Sequence, residues 1–288
     1  MHINLAWSRN FLWDGSTEGT LEDAMRMEVN DFFHTNVERL RAPDLEAMFL
    51  AAFGTPEITT ERAALALAQF QRTLVSDRSR FDAYAKGDTS AMVDAELRGM
   101  ELFYGERTEC FHCHATRLFT DNSFHNIGLD ADVAGTGRGA FTGRARDDGL
   151  FKTPTLRNVE RTGPYMHDDR FATLEEVVDF YSEGVVYSNT VDTLMPNVSG
   201  GGMHLSTEER ADLVAFLRAL TDEQFLNDPA PGCRRARFLR FDRRARADDA
   251  LGRRERILVA ARLSLRQPSS CPFACWLLGR VDAWMVDH

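Results

Sequence analysis

Cys110 and Cys113 stand three positions apart and His114 follows directly, in the run Cys110-Phe111-His112-Cys113-His114. Two thiols at that spacing can form thioethers with the two vinyl groups of a haem, and the adjacent imidazole then lies beneath the iron as an axial ligand. A CxxC pair also serves zinc or thiol–disulfide chemistry. Zinc needs a second ligand pair at similar spacing, which Cys233, Cys271 and Cys275 do not offer. The motif therefore reads as the attachment site of one covalent haem c.

Helices must position these residues. Thr59 or Thr60 opens a helix on which Ala63, Leu67, Phe70 and Leu74 recur at helical spacing. A second amphipathic stretch, with Val93, Leu97, Met100 and Leu102-Phe103, leads into the cysteine motif. Thr173 to Glu176 form a capping box, a threonine followed by a glutamate three residues on. The helix it opens carries Leu174, Val177, Val178 and Tyr181 on one face, and Gly184 stops it. Ser206 to Glu209 form a second box, ahead of Leu213, Phe216, Leu217 and Leu220. Residues 115–165 carry glycines at 128, 135, 137, 139, 143 and 149 with no period, as expected of long loops that wrap a site. The expectation is a mainly α chain with no internal repeat and no low-complexity linker.

With 288 residues, 43% of them hydrophobic, the chain can bury a sizeable core in one large or two small domains. Its formal net charge is −10, unevenly placed: residues 229–288 hold 13 arginines against 6 acidic residues, which leaves −17 on residues 1–228. An acidic body of this kind excludes nucleic acid as a partner. The arginine-dense tail lacks interleaved aromatics and a sustained helical face, so it reads as atypical and outside the fold. No membrane span is expected, since the apolar run Cys275–Leu278 is short and flanked by Arg280 and Asp282. Met1 to Trp13 lack the features of a signal peptide. Covalent haem attachment takes place on the outer side of a bacterial cytoplasmic membrane, so a periplasmic location and a true N-terminus upstream of Met1 are expected.

Several segments together resemble the bacterial dihaem cytochrome c peroxidase and MauG family. They are Phe11-Leu12-Trp13-Asp14-Gly15, the CxxCH motif, Phe119 to Asn126, Phe151 to Val159, Gly163 to Asp168, and the stretch Asp212 to Leu217. The resemblance covers residues 3–228. It implies cytochrome c-like haem domains, two covalent haems and a calcium ion between them, of which this chain holds the second haem motif. Residues 1–90 would then be the remnant of the first, peroxidatic domain, lacking its CxxCH. Residues 91–228 would form the C-terminal cytochrome c domain, and residues 229–288 the tail.

The resemblance assigns Cys110 and Cys113 to the thioethers and His114 to the proximal iron position. It places Trp13 between the two haems as an electron relay, and gives Thr162 and Pro164 backbone carbonyls that bind calcium. Tyr181 falls at the sixth iron position, where peroxidases of the family carry methionine and MauG-type proteins tyrosine. Met166, Met195 and Met203 compete with it, and a core tyrosine bonded to a carbonyl is the alternative role. The family's acid–base glutamate aligns with His34, and Glu28 and Asp31 lie close enough to substitute. His125 and Arg157 would support the haem propionates or an interdomain loop. The implied activity is haem c-dependent reduction of hydrogen peroxide, with electrons from a small cytochrome or cupredoxin relayed through the His114/Tyr181 haem. Two further readings stand beside it: MauG-type oxidation of tryptophan or tyrosine on a partner protein, and a single-haem fragment that only transfers electrons. Family members often form homodimers.

Overall fold

A computed structural model of the chain describes residues 2–228, and the arginine-dense tail lies outside the described residues. The described residues fall into two compact units. One comprises His2–Trp7 and Gly19–Val75; the other comprises Ser8–Glu18 and Ser76–Asn227.

The smaller unit is built on α1 (Leu21–Met27), α2 (Pro43–Phe53) and α3 (Thr60–Thr73). Thr20 starts α1 through a reciprocal cap. Its hydroxyl accepts from the Asp23 amide at 3.3 Å, and the Asp23 carboxylate accepts from the Thr20 amide at 2.7 Å. Proline opens α2, where a missing amide proton costs no helical bond, and Gly54 closes it in the left-handed region at φ 80°. Thr59 caps α3, one of the two starts anticipated from sequence. Small buried side chains on α3 (Ala63, Ala64, Ala68) let α1 pack closely, and the ion pair Arg72–Glu22 at 2.7 Å ties the two helices. Leu45, Phe49 and Ile58 form a separate buried cluster, joined by Leu67.

The larger unit contains α4 (Arg80–Ala85), α5 (Asp94–Tyr104), α6 (Phe111–His114), β1 (Phe124–His125), α7 (Arg138–Thr142), β2 (Phe151–Lys152), α8 (Leu174–Asp179), α9 (Thr207–Ala219) and α10 (Glu223–Leu226). β1 and β2 pair antiparallel, with Phe124 opposite Lys152 and His125 opposite Phe151. The two strands lie within the region expected to be loop, because a two-residue ladder leaves no alternation to read in the sequence. α5 and α9 form the main helix–helix contact. They meet at Gly99, where a Cβ would overlap the Asp212 carbonyl and crowd Phe216. Phe103, Phe119 and Phe216 fill the core behind this crossing, with Phe103 and Phe216 ring centroids 5.1 Å apart.

One buried ion pair crosses this unit. Arg157 donates to both Asp82 carboxylate oxygens at 2.8 Å, and its Nε donates to the Arg117 carbonyl at 2.8 Å. Burial alone would raise the Asp82 carboxyl, but its bonds to Arg157 and Ser79 hold it below its ordinary value.

The same local device occurs once in each unit. Thr173 caps α8 as Thr20 caps α1: its hydroxyl accepts from the Glu176 amide at 3.2 Å, and Glu176 accepts from the Thr173 amide at 3.1 Å. Each short helix then widens into a π-turn, Glu28–Phe32 in one unit and Phe180–Gly184 in the other. Counting from the capping threonines, Glu28 and Tyr181 occupy the same position. The shared signal is only Thr-Leu-Glu-Asp against Thr-Leu-Glu-Glu, too short to stand out without the backbone. π-Turns of this kind are frequent at functional sites.

Two outcomes follow from this packing. Gly99→Ala should lower the unfolding free energy by about 2 kcal/mol or more, read from the denaturant midpoint, because neither backbone can give way. Asp82→Asn should cost about 3 kcal/mol, because it leaves Arg157 charged and underpaired. The Asp82 contribution is present above its unfolded-state pKa and is lost as pH falls through the lower folded value. Denaturant titrations across that acid range should therefore show a shallower loss of stability in the variant than in the wild type.

Candidate haem site

α6 is a single helical turn that carries the motif residues Phe111 to His114. Cys110, Cys113 and His114 all line an apolar cavity of about 340 Å³ in the larger unit. His114 Nδ1 lies 2.7 Å from the Phe119 carbonyl, so Nδ1 carries the proton and Nε2 keeps a lone pair for iron. Burial drives the His114 pKa down to about 4, so the ring is neutral and ligand-ready at pH 7. The Phe119 carbonyl is itself held in place: Phe119 is fully buried, with its backbone in the left-handed region at φ 52°. Burial pushes the Cys110 thiol up to about 11, against a hydrogen bond to Thr108 Oγ1 at 3.4 Å.

Tyr181 lines the same cavity, from the π-turn that follows α8. What surface it keeps is cavity wall; burial pushes its phenol well above the ordinary range, and Cys110 and Cys113 add to this. Its hydroxyl has no hydrogen-bond partner among the described residues. This half-buried phenol on the cavity wall is free to engage a bound group. Met166, Met195 and Met203 also line the cavity. Met203 is buried, and its amide donates to the Tyr181 carbonyl at 3.1 Å. Two thiols, a neutral imidazole with a free nitrogen and an orphaned phenol in one apolar cavity fit a covalently attached haem.

The other candidate residues sort by position. Trp13 belongs to the larger unit and lines the cavity, 44% exposed, with its carbonyl accepting from the Lys152 amide at 2.7 Å. Thr162 and Pro164 line it as well. His125 lines it and is clamped by two carboxylates, with Nδ1 2.6 Å from Asp192 and Nε2 2.9 Å from Asp121. The Cys113 sulfur and then Asp192 and Asp121 raise its pKa to about 10 against burial, so it is an imidazolium. A thioether at Cys113 would end the sulfur contribution; the carboxylates would remain. Arg157 does not line the cavity and spends its guanidinium on Asp82 and Arg117, which makes it a brace of the loop after β2. Glu28 and His34 belong to the smaller unit. Glu28 opens its π-turn, and burial raises its carboxyl. His34 is exposed, with Nδ1 3.0 Å from the Asn30 carbonyl. Sequence reading missed Lys152 and Asp192 at the cavity: Lys152 lies in the family-like stretch Phe151 to Val159 but was given no role of its own, and Asp192 lies in none of those stretches.

The class this geometry defines is a c-type cytochrome site on a mainly helical frame. A profile of the family described as di-haem cytochrome c peroxidase matches residues 1–90. The methylamine utilization protein MauG of Methylorubrum extorquens is 41% identical over 230 residues, covering 77% of this chain and 63% of that protein. The cytochrome-c peroxidase IdrP1 of Denitromonas iodatirespirans is 32% identical over 268 residues, covering 79% of this chain and 69% of that protein. A solved structure of a MauG-like protein associated with microbial copper homeostasis superposes with a TM-score of 0.61 at 33% identity, over 79% of this chain and 74% of that one. The chain belongs to the dihaem cytochrome c peroxidase and MauG family, and it spans 63% of the length of its Methylorubrum relative. Among the described residues, no helix is long and apolar enough to cross a membrane.

Tyr181→Phe removes the orphaned hydroxyl and keeps the ring. In the haem-loaded protein it should convert the ferric spectrum from low-spin to high-spin; an unchanged spectrum would leave the sixth position to a methionine.

Proposed function

We propose that the chain is the electron-handling part of a haem c-dependent, peroxidase-like oxidoreductase. The observation that carries this reading is the orphaned Tyr181 phenol in the cavity that also holds the free nitrogen of His114. When bound, the haem supplies reversible one-electron chemistry. His114 and Tyr181 would both hold the iron, which would leave peroxide no place on it. A phenolate is a hard anionic donor, so Tyr181 would favour the oxidised iron and lower its potential. The neutral phenol must give up its proton to become that donor, at a point where burial otherwise opposes ionisation.

Hydrogen peroxide reduction would fall to the family's other haem. For the acid–base step there, Glu28 is favoured over His34. It holds the position that corresponds to the cavity-lining Tyr181 in the other π-turn, and burial raises its carboxyl. Trp13, between the two haems by resemblance, would pass electrons. The acidic body suits a basic cytochrome or cupredoxin as donor. Calcium at the Thr162 and Pro164 carbonyls, and a periplasmic location, belong to the same proposal and rest on the resemblance. A second reading, oxidation of tryptophan or tyrosine on a partner protein, is favoured by Tyr181 and by the 41% identity to a MauG protein.

The test uses the chain loaded with covalent haem. A low-potential mediator should reduce and reoxidise its iron reversibly, while hydrogen peroxide consumption stays near the background rate. Rapid peroxide turnover by the chain alone would overturn the relay assignment.

A further inference from the structure

A haem brings two propionate carboxylates into its site, and a carboxylate drawn out of water needs a cation or several donors. Most cationic groups near the cavity are already committed. His125 is held between Asp121 and Asp192, and Arg157 is consumed by Asp82 and Arg117. Arg170 pairs with Asp130 at 2.9 Å and Asp168 at 2.6 Å. Among the described residues that line the cavity, Lys152 is the only lysine or arginine.

Lys152 is half-buried at the end of β2, its backbone fixed by the bond to Trp13 and by pairing opposite Phe124. Its Nζ donates one hydrogen bond, 3.2 Å long, to the carbonyl of the next residue, Thr153. An ammonium has three protons to place, and this bond serves one of them. Burial lowers the Lys152 pKa, and Asp121 only partly offsets this. Asp130, Asp132, Asp192 and Glu109 also line the cavity, but among the described residues none forms an ion pair with Lys152, so its remaining protons are open to an anion that arrives with the cofactor.

We propose that Lys152 binds a propionate of the haem carried by Cys110, Cys113 and His114, and is the cation that sets this haem's charge environment. The inference rests on the haem reading of the cavity. Lys152 is a positioning residue: it acts on the iron through the propionate. Without its charge, the unbalanced carboxylate stabilises the oxidised iron, so the midpoint potential falls.

The experiment prepares the wild type, Lys152→Met, Lys152→Gln and Lys152→Arg under conditions of c-type haem maturation. Pyridine haemochrome absorbance and intact mass report covalent haem; its absence from the wild type would overturn the haem reading itself. Spectroelectrochemical titration at pH 7 then reads Lys152. The expected result is a lower midpoint potential in Lys152→Met and Lys152→Gln, and a value near wild type in Lys152→Arg. Equal potentials in all four proteins would overturn the assignment, since a purely structural lysine would not move them selectively by charge. If the neutral variants do not retain haem, resonance Raman of the wild type and Lys152→Arg decides. A propionate bending band that differs between the two proteins supports the contact, and an identical band overturns it.

Discussion

The 2.7 Å contact between His114 Nδ1 and the Phe119 carbonyl is the constraint on which the site depends. It settles which ring nitrogen carries the proton, and so which one is free for a metal. That carbonyl points where it does because Phe119 adopts a left-handed backbone, which a phenylalanine holds only when its surroundings compel it. The surroundings are aromatic: Phe119 packs edge-on against Phe81 with centroids 5.1 Å apart, and against Phe103 at 5.9 Å. Phe103 and Phe216 sit on α5 and α9, whose close approach needs the missing side chain of Gly99. The tautomer of His114 is thus linked through four aromatic rings to one glycine in a helix crossing.

Polar groups in the larger unit divide into those the protein satisfies and those it leaves open. Arg157 and Asp82 satisfy each other, and His125 is satisfied twice over. Tyr181 and Lys152 are left with an unmet hydroxyl and an under-balanced ammonium on the wall of one apolar cavity. Both groups are complementary to a cofactor that presents a metal and carboxylates. The division separates braces from ligand-facing groups on physical grounds, although Arg157 and Lys152 lie five residues apart in one loop-forming stretch.

The repeated device, a threonine-capped helical turn that widens into a π-turn, places Glu28 and Tyr181 at matching points of the two units. Widening the helix by one residue alters the direction of the side chains that follow. A strict 3.6-residue period therefore describes the helix only as far as the π-turn begins. Periodicity put Tyr181 on the apolar face with Leu174 and Val178. The structure keeps it on that face, packed against the core cluster, and places all three on the wall of one cavity.

The sequence by itself determined whatever depends on neighbours a few residues apart. The spacing of Cys110, Cys113 and His114 prescribes the attachment chemistry, and the helix starts at Thr59, Thr173 and Ser206 follow from side chains that bond amides three residues on. The α1 start escaped notice because aspartate, not glutamate or glutamine, completes its box. Tertiary structure alone decided how the charges are used. Asp82 and Arg157 are 75 residues apart, and His125 and Asp192 are 67 apart, so no local pattern could pair them. An arginine, a histidine and a lysine near one motif look alike as cations in the chain. Only the fold, by bringing distant carboxylates to two of them, leaves Lys152 facing the cavity with its charge to spare.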